Sequence, residues 1–197
     1  ERVVALGGDV TEIVYALGAG DRLVAVDSTS GHPPAAEALP DLGYFRRLAA
    51  EPIVALEPDL VLASAASGPP VVLEQLRAAR VPVTIVPNEA GVDGVVAKIA
   101  AVGRALDREA AADALAAEVE GEVARARERV ADAEHRPRVL FVLNVGRGAP
   151  LAGGGGTSAA AIIELAGGRN AVGGFEGYKP LSQEAALAAA PEVVLVP

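Results

Sequence analysis

The stretch at residues 48–63 reads LAAEPIVALEPDLVLA. Its end, Asp59-Leu-Val-Leu-Ala63, is a short apolar run of the kind that forms a strand buried on both faces. The pattern returns at residues 181–196, LSQEAALAAAPEVVLV. Leu48/Leu181, Glu51/Glu184, Ala55/Ala188, Pro58/Pro191, Val61/Val194 and Leu62/Leu195 are identical pairs at constant spacing, and Asp59/Glu192 is conservative. Each copy follows a Gly-Tyr pair, Gly43-Tyr44 and Gly177-Tyr178. A repeat of this length predicts a duplicated unit and hence two lobes.

Outward from the first copy, the chain alternates short strands with helices. Val3-Val-Ala-Leu6 is an apolar run that ends on Gly7-Gly8, as a buried strand does where it meets a loop. Thr11 is placed to cap a helix that runs to Leu17 and closes on Gly18-Ala19-Gly20. Further strands are expected at 23–26 and 83–86, with a helix at about 70–80. Strand and helix in alternation predict an α/β fold with a doubly wound parallel sheet. From Val92 to Glu134 there is no proline, and apolar residues recur at Val95, Ile99, Val102, Leu106, Leu115, Val119 and Val123. That spacing predicts one long helix, or two broken near Leu106-Asp107. Strand character resumes at 138–143. The expected organisation is an N-terminal α/β lobe (1–90), a backbone helix (91–136) and a C-terminal α/β lobe (137–197). The second copy stops just after its strand, so that lobe is expected to be incomplete.

Composition narrows the function. The net charge is -9 with no extended basic run, whereas nucleic-acid binding needs a positive footprint. There are no cysteines, which excludes disulfides and thiolate metal sites. No apolar run approaches the roughly 20 residues of a membrane helix. The start at Glu1-Arg2, without an initiator Met, reads as a processed or trimmed chain, so a missing signal peptide does not argue against export.

Several segments together resemble a known family. Gly7-Gly8 followed by Thr11-Glu-Ile-Val-Tyr-Ala-Leu-Gly18, then Asp27-Ser-Thr-Ser30, Leu42-Gly-Tyr44-Phe-Arg46 and Ala50-Glu51-Pro-Ile-Val-Ala-Leu-Glu-Pro-Asp-Leu-Val61 are similar to the haem-binding proteins of bacterial haem ABC importers. Gly177-Tyr178-Lys-Pro-Leu-Ser-Gln-Glu184 fits the same branch. The resemblance implies two α/β lobes joined by a long helix, a ligand cleft between them, and an extracytoplasmic protein, in the periplasm or lipid-anchored, that is not an enzyme. It implies haem as cargo and the importer's permease dimer as partner. The membrane is met only through an anchor or the permease.

The same resemblance puts Tyr44 where the family has its axial iron ligand. Tyrosinate is an established ligand of haem iron, and Arg46 is a cation that would favour the phenolate or pair with a propionate. Tyr178, His32 and Arg147 are further candidate haem contacts. His135 is expected only to complement a helix C-terminus. Glu51 and Glu184 would dock on permease arginines, one from each lobe, as a two-fold symmetric partner requires. With the same fold, cobalamin or a ferric siderophore is the alternative cargo. Gly153-Gly-Gly-Gly156-Thr157-Ser158 opens a helix and raises a nucleotide enzyme as a second alternative. It lacks the lysine of a phosphate loop, and reads as a flexible loop and helix cap.

Overall fold

A computed structural model describes residues 1–143 and 149–196. The chain divides into two compact units, one of Glu1–Glu89 with Asp93–Glu118, the other of Ala90–Val92 with Val119–Pro197. The first contains β1 (Val3–Leu6), α1 (Gly8–Ala16), β2 (Leu23–Val26), α2 (Ala50–Val54), β3 (Leu60–Ser64), α3 (Pro70–Ala78) and β4 (Val83–Val86). These are followed by α4 (Val92–Ala105) and α5 (Glu109–Ala131). The strands form one parallel sheet in the order β2-β1-β3-β4.

The sheet is covered on both faces, as a parallel sheet requires. Every residue of β1 and β3 is buried. Val4, Leu6, Val61 and Ala63 join one cluster with Leu48, Ile53, Val72 and Leu76 from the α2 and α3 side. By strand alternation their neighbours Val3, Ala5, Leu60 and Leu62 turn to the opposite face, and these too are buried, as are Val10 and Val14 of α1. The expected α/β class and the doubly wound first lobe are therefore what the chain forms.

One local expectation changes, and another is resolved between its two forms. Helix α1 begins at Gly8, three residues before Thr11, and its N-cap, Gly7, has no side-chain cap. Gly7 sits at φ 125, a backbone state that residues with a Cβ rarely adopt. A Cβ on Gly8 would run into the Thr29 carbonyl. The glycine pair thus starts the helix straight off the strand, and Thr11 lies buried inside it. The long helical stretch is broken, the second of the two expected forms: Leu106–Arg108 separates α4 from α5, with Asp107 at φ 55.

The second unit holds β5 (Arg138–Leu143), β6 (Leu151–Gly153), α6 (Ser158–Leu165), β7 (Arg169–Asn170), β8 (Tyr178–Pro180), α7 (Gln183–Ala188) and β9 (Val193–Leu195). Its sheet is mixed: β7 and β9 pair parallel with β5, β6 antiparallel with β5, and β8 antiparallel with β6. The repeat is visible in three dimensions. The second-copy elements α7 and β9 correspond to α2 and β3, and β9 pairs with β5 as β3 pairs with β1. In the first copy Leu48 and Ile53 pack beneath Val72 and Leu76 of α3.

Candidate functional site

The Tyr44 segment is built onto the carboxyl ends of the first sheet, where open α/β sheets bind ligands. Residues 40–43 extend the edge of β2: Val26 N–H donates to Pro40 O at 3.0 Å and Leu42 N–H to Val26 O at 2.9 Å. Ser28 N–H then donates to Gly43 O at 3.0 Å. On the other side Gly68, in the loop after β3, donates its N–H to Phe45 O at 2.9 Å. Tyr44 is thus held by backbone bonds from two loops while its side chain is 42% exposed. Its ring packs edge-on against Phe45, centroids 5.1 Å apart, and the Arg46 guanidinium lies 5.2 Å from the Phe45 centroid. A phenol and a guanidinium therefore flank one aromatic ring at an open sheet edge. His32, in the loop before the 3-10 turn Pro34–Ala38, is exposed.

Sequence reasoning gave no role to the carboxylate beneath this loop. Asp27 is 2% exposed and accepts four hydrogen bonds. Oδ1 takes Gly7 N–H at 2.8 Å and the Ser30 hydroxyl at 3.0 Å. Oδ2 takes Thr29 N–H at 3.0 Å and the Thr29 hydroxyl at 2.7 Å. The buried Thr11 hydroxyl bonds Ser30 Oγ at 2.8 Å. Lys98 of α4 was likewise unassigned. It is buried, forms an ion pair with Asp9 and donates to Asn88 Oδ1 at 3.2 Å. The Asp27-Ser-Thr-Ser30 segment supplies three of the four bonds to Asp27 locally, but its tie to Gly7 and the pairing of Lys98 with Asp9 join separate elements, which no linear motif announces.

In the second unit Tyr178 is 40% exposed, and its ring lies 6.4 Å from that of Phe141. Lys179 Nζ is 5.4 Å from the Phe175 centroid. Arg147 lies outside the described residues. The glycine run is not a loose connector. Gly154 N–H donates to Gly177 O and Gly155 N–H to Phe175 O, both at 2.8 Å, so two of the amides a phosphate would need are occupied. The helix cap holds as expected, with Ala160 N–H donating to Thr157 Oγ1 at 3.1 Å. A Cβ on Gly154 would meet the Phe175 carbonyl and ring, so glycine serves close backbone approach here.

Glu51 and Glu184 occupy matching places, each exposed in the first turn of its helix and two residues after the N-cap. His135 is not at a helix end. The helix stops at Ala131, and His135 Nε2 instead pairs with Glu192 Oε2 at 2.6 Å.

The parallel sheet covered by helices on both faces makes the first unit a doubly wound α/β fold. The chain belongs to the periplasmic binding protein family, whose model matches residues 3–197. Among solved structures, the periplasmic heme-binding protein RhuT from Roseiflexus sp. RS-1 is 42% identical with a TM-score of 0.95, over 100% of this chain and 76% of that one. The periplasmic heme-binding protein BhuT in complex with two hemes is 44% identical with a TM-score of 0.92, over 99% and 76%. Among curated relatives, the vitamin B12-binding protein of Vibrio parahaemolyticus serotype O3:K6 is 42% identical over 83 residues, 42% of this chain. That of Yersinia pestis (strain Pestoides F) is 41% identical over 83 residues. The matched stretch spans 30% of the length of these curated relatives.

Proposed function

We propose that the protein captures haem outside the cytoplasm and delivers it to the permease of an ABC importer, acting as a binder and not as an enzyme. The observation that carries this reading is Tyr44, an exposed phenol on a segment pinned from two sides, with Arg46 one residue beyond the ring it packs against. Ferric iron takes a phenolate as an axial ligand. Free tyrosine has a pKa of about 10, so coordination needs the ferric charge and a neighbouring cation. Arg46 supplies that cation or pairs with a propionate. Tyr178, His32 and Arg147 are the further contacts of the reading. The names of the two solved neighbours above support haem as the ligand class.

The test is a titration of hemin into the full-length protein and its Tyr44→Phe variant, followed in the visible spectrum. A saturable change with an iron–phenolate charge-transfer band, lost in the variant, is the expected result. A spectrum that survives the substitution moves the ligand to Tyr178 or His32. Cobalamin is the second reading, favoured by the names of the curated relatives. It predicts saturable binding of cyanocobalamin that Tyr44→Phe leaves intact.

A further inference from the structure

Asp27 is a buried carboxylate whose partners are Gly7, at the start of α1, and Thr29 and Ser30, in the loop that holds the Tyr44 segment. Its four hydrogen bonds all come from donors, which suits a carboxylate, an acceptor with two oxygens and no proton of its own. They close the turn 27–30 and tie it to Gly7, the residue that launches α1. Thr29 Oγ1 accepts Gly8 N–H at 3.0 Å, a second tie to the same glycine pair. Ser28, inside this turn, is the residue whose N–H holds Gly43 O at 3.0 Å. That carbonyl belongs to the peptide leading into Tyr44. A continuous path therefore runs from the Asp27 carboxylate through the Ser28 amide to the backbone of Tyr44. Asp41 completes the far end, accepting Gly43 N–H at 2.7 Å. Beside the path lies a cavity of about 280 Å³, lined in part by Asp27, Ser30, Leu39 and Asp41. Space is therefore available for the turn to shift once the carboxylate is lost.

We propose that Asp27 is a positioning residue for Tyr44, fixing through the 27–30 turn where the phenol stands when it meets the iron. This rests on the haem reading above. Asn is the sharp substitution despite its equal size. Its single acceptor oxygen cannot serve four donors, and its amide hydrogens would face N–H and O–H groups. The experiment is a double-mutant cycle on the full-length protein, titrating hemin into wild type, Asp27→Asn, Tyr44→Phe and the double variant. Asp27→Asn is expected to weaken hemin binding by about tenfold or more, as small misplacements of a reacting group do, and to diminish the iron–phenolate band. On the Tyr44→Phe background the same change should alter affinity by less than about twofold, since positioning acts only through the group positioned. An equal loss in both backgrounds, or an undiminished band in Asp27→Asn, overturns the proposal. No saturable hemin uptake by wild type would instead overturn the haem reading itself. If circular dichroism shows Asp27→Asn unfolded, Thr29→Val takes its place in the cycle. It keeps the carboxylate and removes one donor to it, and the same non-additivity is expected at smaller amplitude.

Discussion

Arg2 and Arg138 solve the same problem at the entrance to β1 and β5. Arg2 Nε and Nη2 donate to Leu56 O at 3.1 and 3.0 Å, and Arg138 Nε and Nη2 donate to Ala189 O at 3.0 and 2.6 Å. Leu56 and Ala189 are repeat partners just past α2 and at the end of α7, where carbonyls lack helical donors and a cation is favoured. The conservative pair Asp59/Glu192 completes the device. Asp59 Oδ2 accepts Arg2 N–H at 2.7 Å, and Glu192 Oε1 accepts Arg138 N–H at 2.9 Å. That backbone bond, with His135 adding a hydrogen bond and charge, holds the Glu192 carboxyl below its ordinary 4.5. A lowered folded-state pKa stabilises the fold above the ordinary value and ceases to do so as pH falls through the folded one. Glu192→Gln should therefore unfold more easily than wild type in urea at pH 7, and the gap should close on acidification below about 4.5. A gap of constant size across that range would mean the ionised carboxylate contributes nothing.

The elements show where a repeat can be read in sequence and where it diverges. Helix α7 is capped, Ala185 N–H donating to Ser182 Oγ at 3.0 Å. Its counterpart α2 has Ala49 at the cap and no side-chain cap bond. Pro52 stands where Ala185 does, and proline has no N–H to donate. Ser182→Ala should cost about 1 kcal/mol, read from urea unfolding and faster exchange of the Ala185 amide. Ala49→Ser should recover well under half of that, because only the Glu51 amide remains for it. Gly154→Ala is expected to destabilise by about 1–3 kcal/mol through overpacking against Phe175. Strands β1 to β3 were legible as short apolar runs, the mark of a strand buried in a parallel sheet, and β4 because Val-Thr-Ile-Val is β-branched throughout, although only Val86 is buried. Strands β6, β7 and β8 were not: at two or three residues, with Gly, Arg, Asn, Lys and Pro among them, they show no period. The start of α1 was misread because Thr11 offers a capping hydroxyl, while the glycine pair that sets the start has no side chain to signal it. Tyr44 and Arg46 stood out as a motif, but the pairing of Asp27 with Gly7, or of Lys98 with Asp9, is a product of folding that no local pattern records.

For the whole molecule, the duplicated helices α2 and α7 carry the proposal of a partner. Glu51 and Glu184 share the second helical position of repeat-related elements, and both are exposed. A carboxylate there has a local use, since it complements the helix dipole by about 0.3–1 kcal/mol. That term alone would explain either residue but asks nothing of the pair. Docking on a two-fold symmetric permease asks for both, because each half of the partner must find its own contact. The two explanations separate under Glu51→Gln, Glu184→Gln and the double substitution. If the glutamates serve only their helices, stability falls by the dipole term and delivery of haem to the cognate permease in proteoliposomes is unchanged. If they dock, hemin affinity stays at the wild-type level, each single variant slows delivery, and the double variant slows it further. The wild-type rate should also fall as salt is raised from low to physiological strength, since exposed charge contacts are screened over about 8–10 Å. The two single variants, each keeping one glutamate, should lose part of that salt dependence and the double variant most of it. Wild-type delivery by the double variant would leave the glutamates with the helix role alone.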